Sequence, residues 1–556
     1  YLQVIEHDRY FSKSQVNSIK AQATYAPRGL ILDRNGVVLV ENYPTYILTV
    51  TPYELEDKDL QFEIISNITG VSIEELSKRY KRYYQGRFLP TVIAKNLTFA
   101  EISQIEERRL ELSGFQYKRF DERLYSDVLK DAHFLGYLRE LDRQSLPFLD
   151  KAQLYRAGEL IGWQGIEKQY EKELRYSKGI KYIEVDTYGR EINSINDNNI
   201  PAFPGKDLTL SIDSKLQQFS KNLLLGQKGV ILVSNVNNGD ILSMVSNPSY
   251  SLDIYRGETT DSDWNALLSD KNKPIINRNI AGLYPPGSSF KIITALNLIE
   301  DGLLDPEDSL MCAGSYTPQG SSNTFNCWKE DGHGLVDLNK AIAQSCNVYF
   351  YETVQLIKLA EWTKTAKIFG FQNKTEIDLP NELIGQIPDK EFFIETYGRW
   401  GWSERGVLLN LTLGQGDILV TPLQSLRYIN HIASKGKTAK LRLNVKKEIE
   451  YYNDILLSEQ TWDRVINGLY DVVNAEGGSG WRAKQSEVKL YGKTSTAENP
   501  HGEPHAWFNG FFDFKGQTYS IVVLVENGGG GGAVASPIAG EIVKFFTDTD
   551  VGIVRK

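Results

Sequence analysis

Beyond about residue 206, β-type runs lie at the two ends of the chain and helical patterns fill the middle, and this order constrains the fold more than any other feature. Leu208 to Ile212, Gly229 to Val236 and Ile241 to Val245 come first; Val488 to Thr494, Ala506 to Phe512 and Tyr519 to Val525 come last. Strands, then helices, then strands predict an antiparallel sheet with helices on its faces and a helical lobe. Asn237-Asn238-Gly239-Asp240 reads as a tight hairpin turn between two of the runs, and Ser214 to Leu225 reads as a helix.

With 556 residues the chain exceeds one ordinary domain. Its character changes at Pro204-Gly205, so the expected division is residues 1–205 and 206–556. In the first part, Arg28 to Gly36 leads into Val37 to Val40 and Tyr46 to Val50, two short runs expected to form a hairpin or an edge pairing. Ser72 with Glu75, and Thr98 with Glu101, have capping-box spacing before helical stretches, which predicts a helical insert over roughly residues 53–125. From Gly162 to Gly189 the pattern returns to strand-like alternation. The expected class is α+β multidomain.

Hydrophobic residues at 41% and aromatic residues at 11% mark a globular chain. A net charge of −9, from 62 basic and 71 acidic residues, argues against nucleic acid as the main partner. No run of 18 or more apolar residues occurs that would span a bilayer. The sequence begins at Tyr1 rather than Met, so a signal or anchor segment could precede it. Gly477-Gly478-Ser479-Gly480 and the run Gly528 to Gly532 lack the Lys-Ser/Thr ending of a phosphate loop and read as flexible connections.

Three short motifs carry chemistry. Ser288 precedes an apolar-periodic segment and Lys291 follows three residues later, so the two share a helical face and the lysine can reach the serine oxygen. By itself the pair also fits a helix N-cap. Ser345-Cys346-Asn347 and Lys493-Thr494-Ser495-Thr496 supply partners: a second lysine disfavours protonation of the first, and strand alternation sends Thr494 and Thr496 to one side.

These three motifs follow in the order and approximate spacing of the penicillin-recognising serine acyltransferases. Further segments sharpen the match: Pro27-Arg28-Gly29, Asp33-Arg34-Asn35-Gly36, His133-Phe134-Leu135-Gly136-Tyr137, Gly165-Ile166-Glu167, Gly414-Gln415-Gly416, Thr421-Pro422-Leu423-Gln424 and His505-Ala506-Trp507-Phe508. Over nearly its whole length the chain resembles the class B penicillin-binding proteins, most closely the elongation-specific ones. The resemblance implies a penicillin-binding transpeptidase domain over 206–556, preceded by an elongated, mostly β pedestal of the dimerisation type with a helical head. It also implies a D,D-transpeptidase that cross-links peptidoglycan stem peptides during cell elongation and is acylated by β-lactams.

On the same resemblance Ser288 is the nucleophile, Lys291 the general base, Ser345 a proton relay and Asn347 an amide offered to the substrate. Lys493 helps to keep Lys291 neutral. Thr494, Ser495 and Thr496 line the substrate, with oxyanion amides at Ser288 and Thr496. Where Ser495 stands, family members usually carry glycine, and a Cβ there could crowd the substrate. The implied partners are an elongation-machinery scaffold and a glycan-polymerising membrane protein. The implied location is the cytoplasmic membrane, with a single N-terminal anchor and the catalytic domain outside, in the periplasm. The alternatives are a division-specific class B transpeptidase, a β-lactamase, and a non-catalytic β-lactam-binding sensor or scaffold.

The three cysteines, Cys312, Cys327 and Cys346, lie close together in sequence with His333 among them. Three thiolates and an imidazole would complete a tetrahedral structural zinc site, although the long spacings match neither a finger nor a ribbon. Some elongation-type relatives bind a metal at these positions, with carboxylates in place of Cys312 and Cys327. The competing reading is a Cys312–Cys327 disulfide with Cys346 packed in the core. His7, His133, His431, His501 and His505 are dispersed and read as structural or solvated.

Overall fold

The computed structural model describes residues 19–84, 86–142, 144–149, 155–185, 191–256 and 261–549. His7, together with Tyr188 and Gly189 of the expected alternating segment, lies outside them. No helix among the described residues is long and apolar enough to cross a membrane.

The larger part of the chain is built on a five-stranded antiparallel sheet in the order Ile241–Asn247, Gly229–Asn235, Gln517–Val525, Gly502–Phe514, Leu490–Asn499. The Asn237–Asp240 turn closes the first hairpin, with Gly239 at φ +76° donating its N–H to Asn235 O at 2.9 Å. Gly229–Asn235 is buried throughout, because the C-terminal helix Ala535–Thr549 and the helix Pro422–Ala433 both pack on this sheet. The helices expected between the two sets of strands form the layer and lobe beside it, together with two small two-stranded ribbons between Leu310 and Val336.

In the pedestal, Ile31–Leu32 and Val38–Val50 pair around a turn organised by Asp33, whose Oδ1 accepts the N–H groups of Asn35 and Val37 at 2.8 Å. The two runs expected at Val37 to Val40 and Tyr46 to Val50 are in fact one continuous strand. Pro44 does not break it: a residue before proline already prefers extended backbone, and the strand pairs along its length with Phe115–Tyr125, Pro44 opposite Asp121. The head carries helices Lys58–Thr69, Ile73–Tyr83 and Phe99–Glu107. Ser72 Oγ accepts the Glu75 N–H, and Thr98 with Glu101 forms a complete capping box. The head has its own core, including Leu48, Phe62, Ile65, Leu76, Ile93 and Phe115.

The alternation read between Gly162 and Gly189 is overturned over residues 165–174, which form two short helices, Gly165–Gln169 and Glu171–Leu174. The junction of the two helices at Tyr170 brings Glu167 and Glu171 to the same guanidinium: Arg28 lies 2.7 Å from each, and Arg123 lies 2.7 Å from the other Glu167 oxygen. Glu167 is fully buried, so this ion-pair cluster, and not the aromatic spacing, decides the local structure.

Pedestal and catalytic part are packed as one body at their junction. A single hydrophobic core contains Ile31, Phe134, Leu135, Ile166 and Leu174 together with Leu210, Leu232, Phe290 and Phe508. Leu208–Thr209, just beyond the expected division, pairs in parallel with Ile31–Leu32 of the pedestal sheet.

Candidate active site

Ser288 sits in a 3-10 turn, Gly287–Phe290, that runs into the helix Lys291–Glu300. It is not a helix cap, since neither the turn nor the helix has a side-chain cap hydrogen bond. Every residue from Lys291 to Leu298 is buried, so this helix is a rod through the core and holds the turn from behind. Ser288 remains half-buried at its mouth.

Lys291 is fully buried, and Nζ donates to Ser345 O at 2.8 Å, Ser345 Oγ at 3.2 Å and Asn347 Oδ1 at 2.7 Å. An ammonium has three protons, and these three acceptors take them all. Burial pushes Lys291 down to about 8, opposed by Cys346 and Cys327. Lys493 is also buried, with Nζ donating to Thr494 O at 3.1 Å, and is held well below the usual lysine range by burial and then by Lys291. Two buried lysines, with no carboxylate among the described residues bonded to either, are both biased toward neutrality.

Ser345 has φ +55°, the left-handed region that a side chain rarely adopts. The strain directs its carbonyl and hydroxyl to the same ammonium. Strain of this kind, ~1–3 kcal/mol, persists only where the surroundings hold it. Here the Trp328 indole N–H reaches the carbonyls of Gln344 at 3.0 Å and Ser345 at 3.1 Å, and the Cys346 N–H donates to Ala341 O at 3.0 Å. Asn347 opens the next helix, Asn347–Thr353, and also donates from Nδ2 to Asn326 O at 3.2 Å, leaving its second amide N–H.

Lys493 to Thr496 lie on Leu490–Asn499, the edge strand of the sheet, which packs against the Ser288 turn. Alternation puts Lys493, Ser495 and Ala497 on one buried side. Ser495, expected among the substrate-lining residues, turns its Oγ away from them and donates to Pro286 O at 2.7 Å. Thr494 Oγ1 lies 2.6 Å from Ser479 Oγ, and Thr496, which is exposed, accepts the Gly531 N–H at 3.1 Å.

Both glycine clusters therefore belong to the wall of the site, and the reading of them as flexible connections missed this. Gly531 packs so closely on the Ser495 backbone that a Cβ would collide with it, while Ser479 buttresses Thr494. Nothing in the local sequence signals either role; the contacts exist only once the sheet has closed.

Cys312, Cys327, His333 and Cys346 converge, all buried, with their donor atoms within 4.8 Å of one another. The cysteines are free thiols, and Cys312 Sγ and Cys327 Sγ each lie 3.5 Å from His333 Nδ1. Tetrahedral zinc with ordinary Zn–S and Zn–N bonds separates sulfur from nitrogen by about 3.6 Å, so this donor set fits that ion without rearrangement of the histidine. The hydrogen bond from the Cys346 thiol, helped by His333, drives Cys327 far below the ordinary thiol range, and Cys346 is raised in turn. Cys327 Sγ also accepts the Asn347 N–H at 3.4 Å, which links the cluster directly to the Ser345-Cys346-Asn347 segment.

Sheet, helical lobe, pedestal and the three convergent motifs together define a penicillin-recognising transpeptidase architecture. The penicillin binding protein transpeptidase domain model matches residues 229–544, and the penicillin-binding protein dimerisation domain model matches residues 23–210. The chain belongs to the penicillin-binding protein transpeptidase family. It is 30% identical to the peptidoglycan D,D-transpeptidase MrdA of Salmonella typhimurium over 98% of this chain and 92% of that protein. Among solved structures it resembles Helicobacter pylori PBP2 in its complex with MreC (28% identity, TM-score 0.86, covering 96% of this chain and all of that one). It also resembles a chain from work on the structural coordination of polymerization and crosslinking by a peptidoglycan synthase complex (26% identity, TM-score 0.74, covering 100% of this chain and 96% of that one).

Proposed function

We propose that this protein is a serine-type peptidoglycan D,D-transpeptidase of the cell-elongation kind. The observation that carries the reading is the buried Lys291 amine, held by Ser345 and Asn347 three residues from Ser288. Ser288 Oγ attacks the carbonyl of the penultimate D-alanine while its proton passes to neutral Lys291 Nζ. The backbone amides of Ser288 and Thr496 receive the oxyanion; loss of one such donor costs ~3 kcal/mol in other enzymes. The C–N bond to the terminal D-alanine then breaks, and the leaving amine takes its proton through Ser345 Oγ. An amine of a neighbouring stem peptide attacks the ester, returns a proton to Ser288 and completes the cross-link.

Lys493, held toward neutrality by burial and by Lys291, supports this cycle as an uncharged amine that adds no second buried charge to the site. Thr494 and Thr496 hold the substrate carboxylate, Asn347 uses its remaining N–H on the substrate backbone, and the outer edge of Leu490–Asn499 offers main-chain groups to an extended peptide. β-Lactams acylate the same serine oxygen. Cys312, Cys327, His333 and Cys346 hold a structural zinc ion, which when bound fixes the fold of the segment bearing Ser345 and Asn347.

The likeness to the MreC-bound and synthase-complex chains supports two partners, a scaffold protein and a glycan-polymerising membrane protein. The protein is anchored at the cytoplasmic membrane with its catalytic part outside. Labelling with fluorescent penicillin tests the central claim: the parent labels and Ser288→Ala does not. Equal labelling of both would remove Ser288 from its role, and an unlabelled parent would leave a scaffold.

A further inference from the structure

In the Lys493-Thr494-Ser495-Thr496 segment, the third residue has a side chain that faces the nucleophile turn and not the cleft. Ser495 is 1% exposed, and its Oγ donates to Pro286 O at 2.7 Å. The same carbonyl accepts Ser289 Oγ at 2.8 Å, so two hydroxyls, one from the strand and one from the turn itself, converge on it. The turn is shaped to admit the strand hydroxyl. Gly287 has φ +59°, and a Cβ there would collide with Ser495 Oγ. On its other flank the Ser495 backbone is backed by Gly531, whose N–H is taken by Thr496.

We propose that Ser495 is a positioning residue that sets the gap between the two amides receiving the oxyanion, an inference that rests on the acyl-enzyme reading above. Pro286 O lies in the Pro286–Gly287 peptide, one peptide before the Ser288 amide, so fixing it holds the turn that carries that amide. Thr496 N is the amide that follows Ser495. One buried hydrogen bond therefore ties the strand residue just before one donor to the turn residue two before the other, across the helical and sheet sides of the cleft. With the hydroxyl removed, Ser289 alone holds Pro286 O, and the strand edge is free to drift from the turn by a few tenths of an ångström. Oxyanion donors act only at hydrogen-bond distance from the developing charge, so the loss falls on the acylation step and spares ground-state binding.

The test uses the whole protein and its Ser495→Ala and Ser495→Gly variants. Three quantities are measured: the first-order acylation rate with a chromogenic β-lactam at saturation, the dissociation constant that precedes it, and the affinity for a boronic acid that forms a tetrahedral adduct on Ser288. A first-order rate per labelled site is unaffected by any unfolded fraction. The expected result in both variants is about a tenfold drop in acylation rate, a similar loss of boronate affinity and less than about a twofold change in the preceding binding, the scale of one buried hydrogen bond. An unchanged acylation rate in a labelled parent and variants overturns the positioning role alone. Equal losses in binding and acylation also overturn it, since they indicate general disorder of the cleft. A parent that does not label overturns the acyl-enzyme reading and this inference with it.

Discussion

Lys291 and Cys346 are neighbours through Ser345, and the chemistry of the site is concentrated in that short path. The lysine needs access to a neutral state, which burial brings closer, and a fixed direction, which Ser345 supplies through a strained backbone. Strain has to be opposed by something rigid, and the thiol and imidazole cluster lies directly behind it. Cys327→Ser is therefore expected to lower the zinc content of purified protein from about one ion per chain to a small fraction. It is also expected to slow penicillin labelling of Ser288 by about tenfold, the usual scale for loss of support around a metal site. Elemental analysis together with labelling rates checks this. A parent without zinc, together with a variant that labels at the parental rate, would remove the metal from the account.

At the scale of elements, local chemistry was legible in the sequence and long-range contact was not. The capping box at Thr98, the Asn237–Asp240 turn and each strand of the large sheet follow from spacing and turn chemistry that neighbouring residues determine. Residues 165–174 did not, because their helices depend on Arg28 and Arg123, which are remote in sequence. Val38–Val50 reads as two runs, Val37 to Val40 and Tyr46 to Val50, whereas Pro44 between them takes extended backbone and sits within one strand whose partner supplies the other contacts. Glu167→Gln is expected to destabilise the protein by about 3–5 kcal/mol, since it leaves two buried guanidinium groups without their shared carboxylate. The midpoint of urea unfolding measures this; a loss below about 1 kcal/mol would show that the cluster is replaceable by neutral hydrogen bonds.

For the whole molecule, two histidines, the buried His431 and the half-buried His133, couple stability to acidity. His133, at the junction of pedestal and catalytic part, bonds to Pro274 O at 2.7 Å and is pushed down to about 4 by burial. His431, packed edge-on to Phe369 and tilted against Tyr452, is pushed down to about 3, again by burial. Both are neutral when folded, whereas the unfolded chain takes up a proton at each near the ordinary value of about 6.5. Their contribution is therefore complete above pH 6.5 and is lost as the pH falls below it, at about 2 kcal/mol per histidine between pH 7 and pH 5. Unfolding at these two pH values, in the parent and in His431→Phe, checks the sign and the size: the variant is expected to lose less on acidification. Equal losses would assign the acid sensitivity to other groups.

The order of strands in the large sheet also has a consequence for how the protein comes into being. Gly229–Asn235 lies beside Gln517–Val525, and the strand bearing Lys493 reaches the sheet only through Gly502–Phe514. A chain made from its N-terminus acquires its serine long before it acquires the strand that must face it. Until the last segments are present the sheet has two strands, a pair that is marginal by itself. Sequence-distant closure of this kind is slow and exposes apolar edges while it waits. The nascent enzyme is thus chemically silent until synthesis is nearly finished, and truncation near the C-terminus removes a neighbour of the first strand as surely as it removes the last.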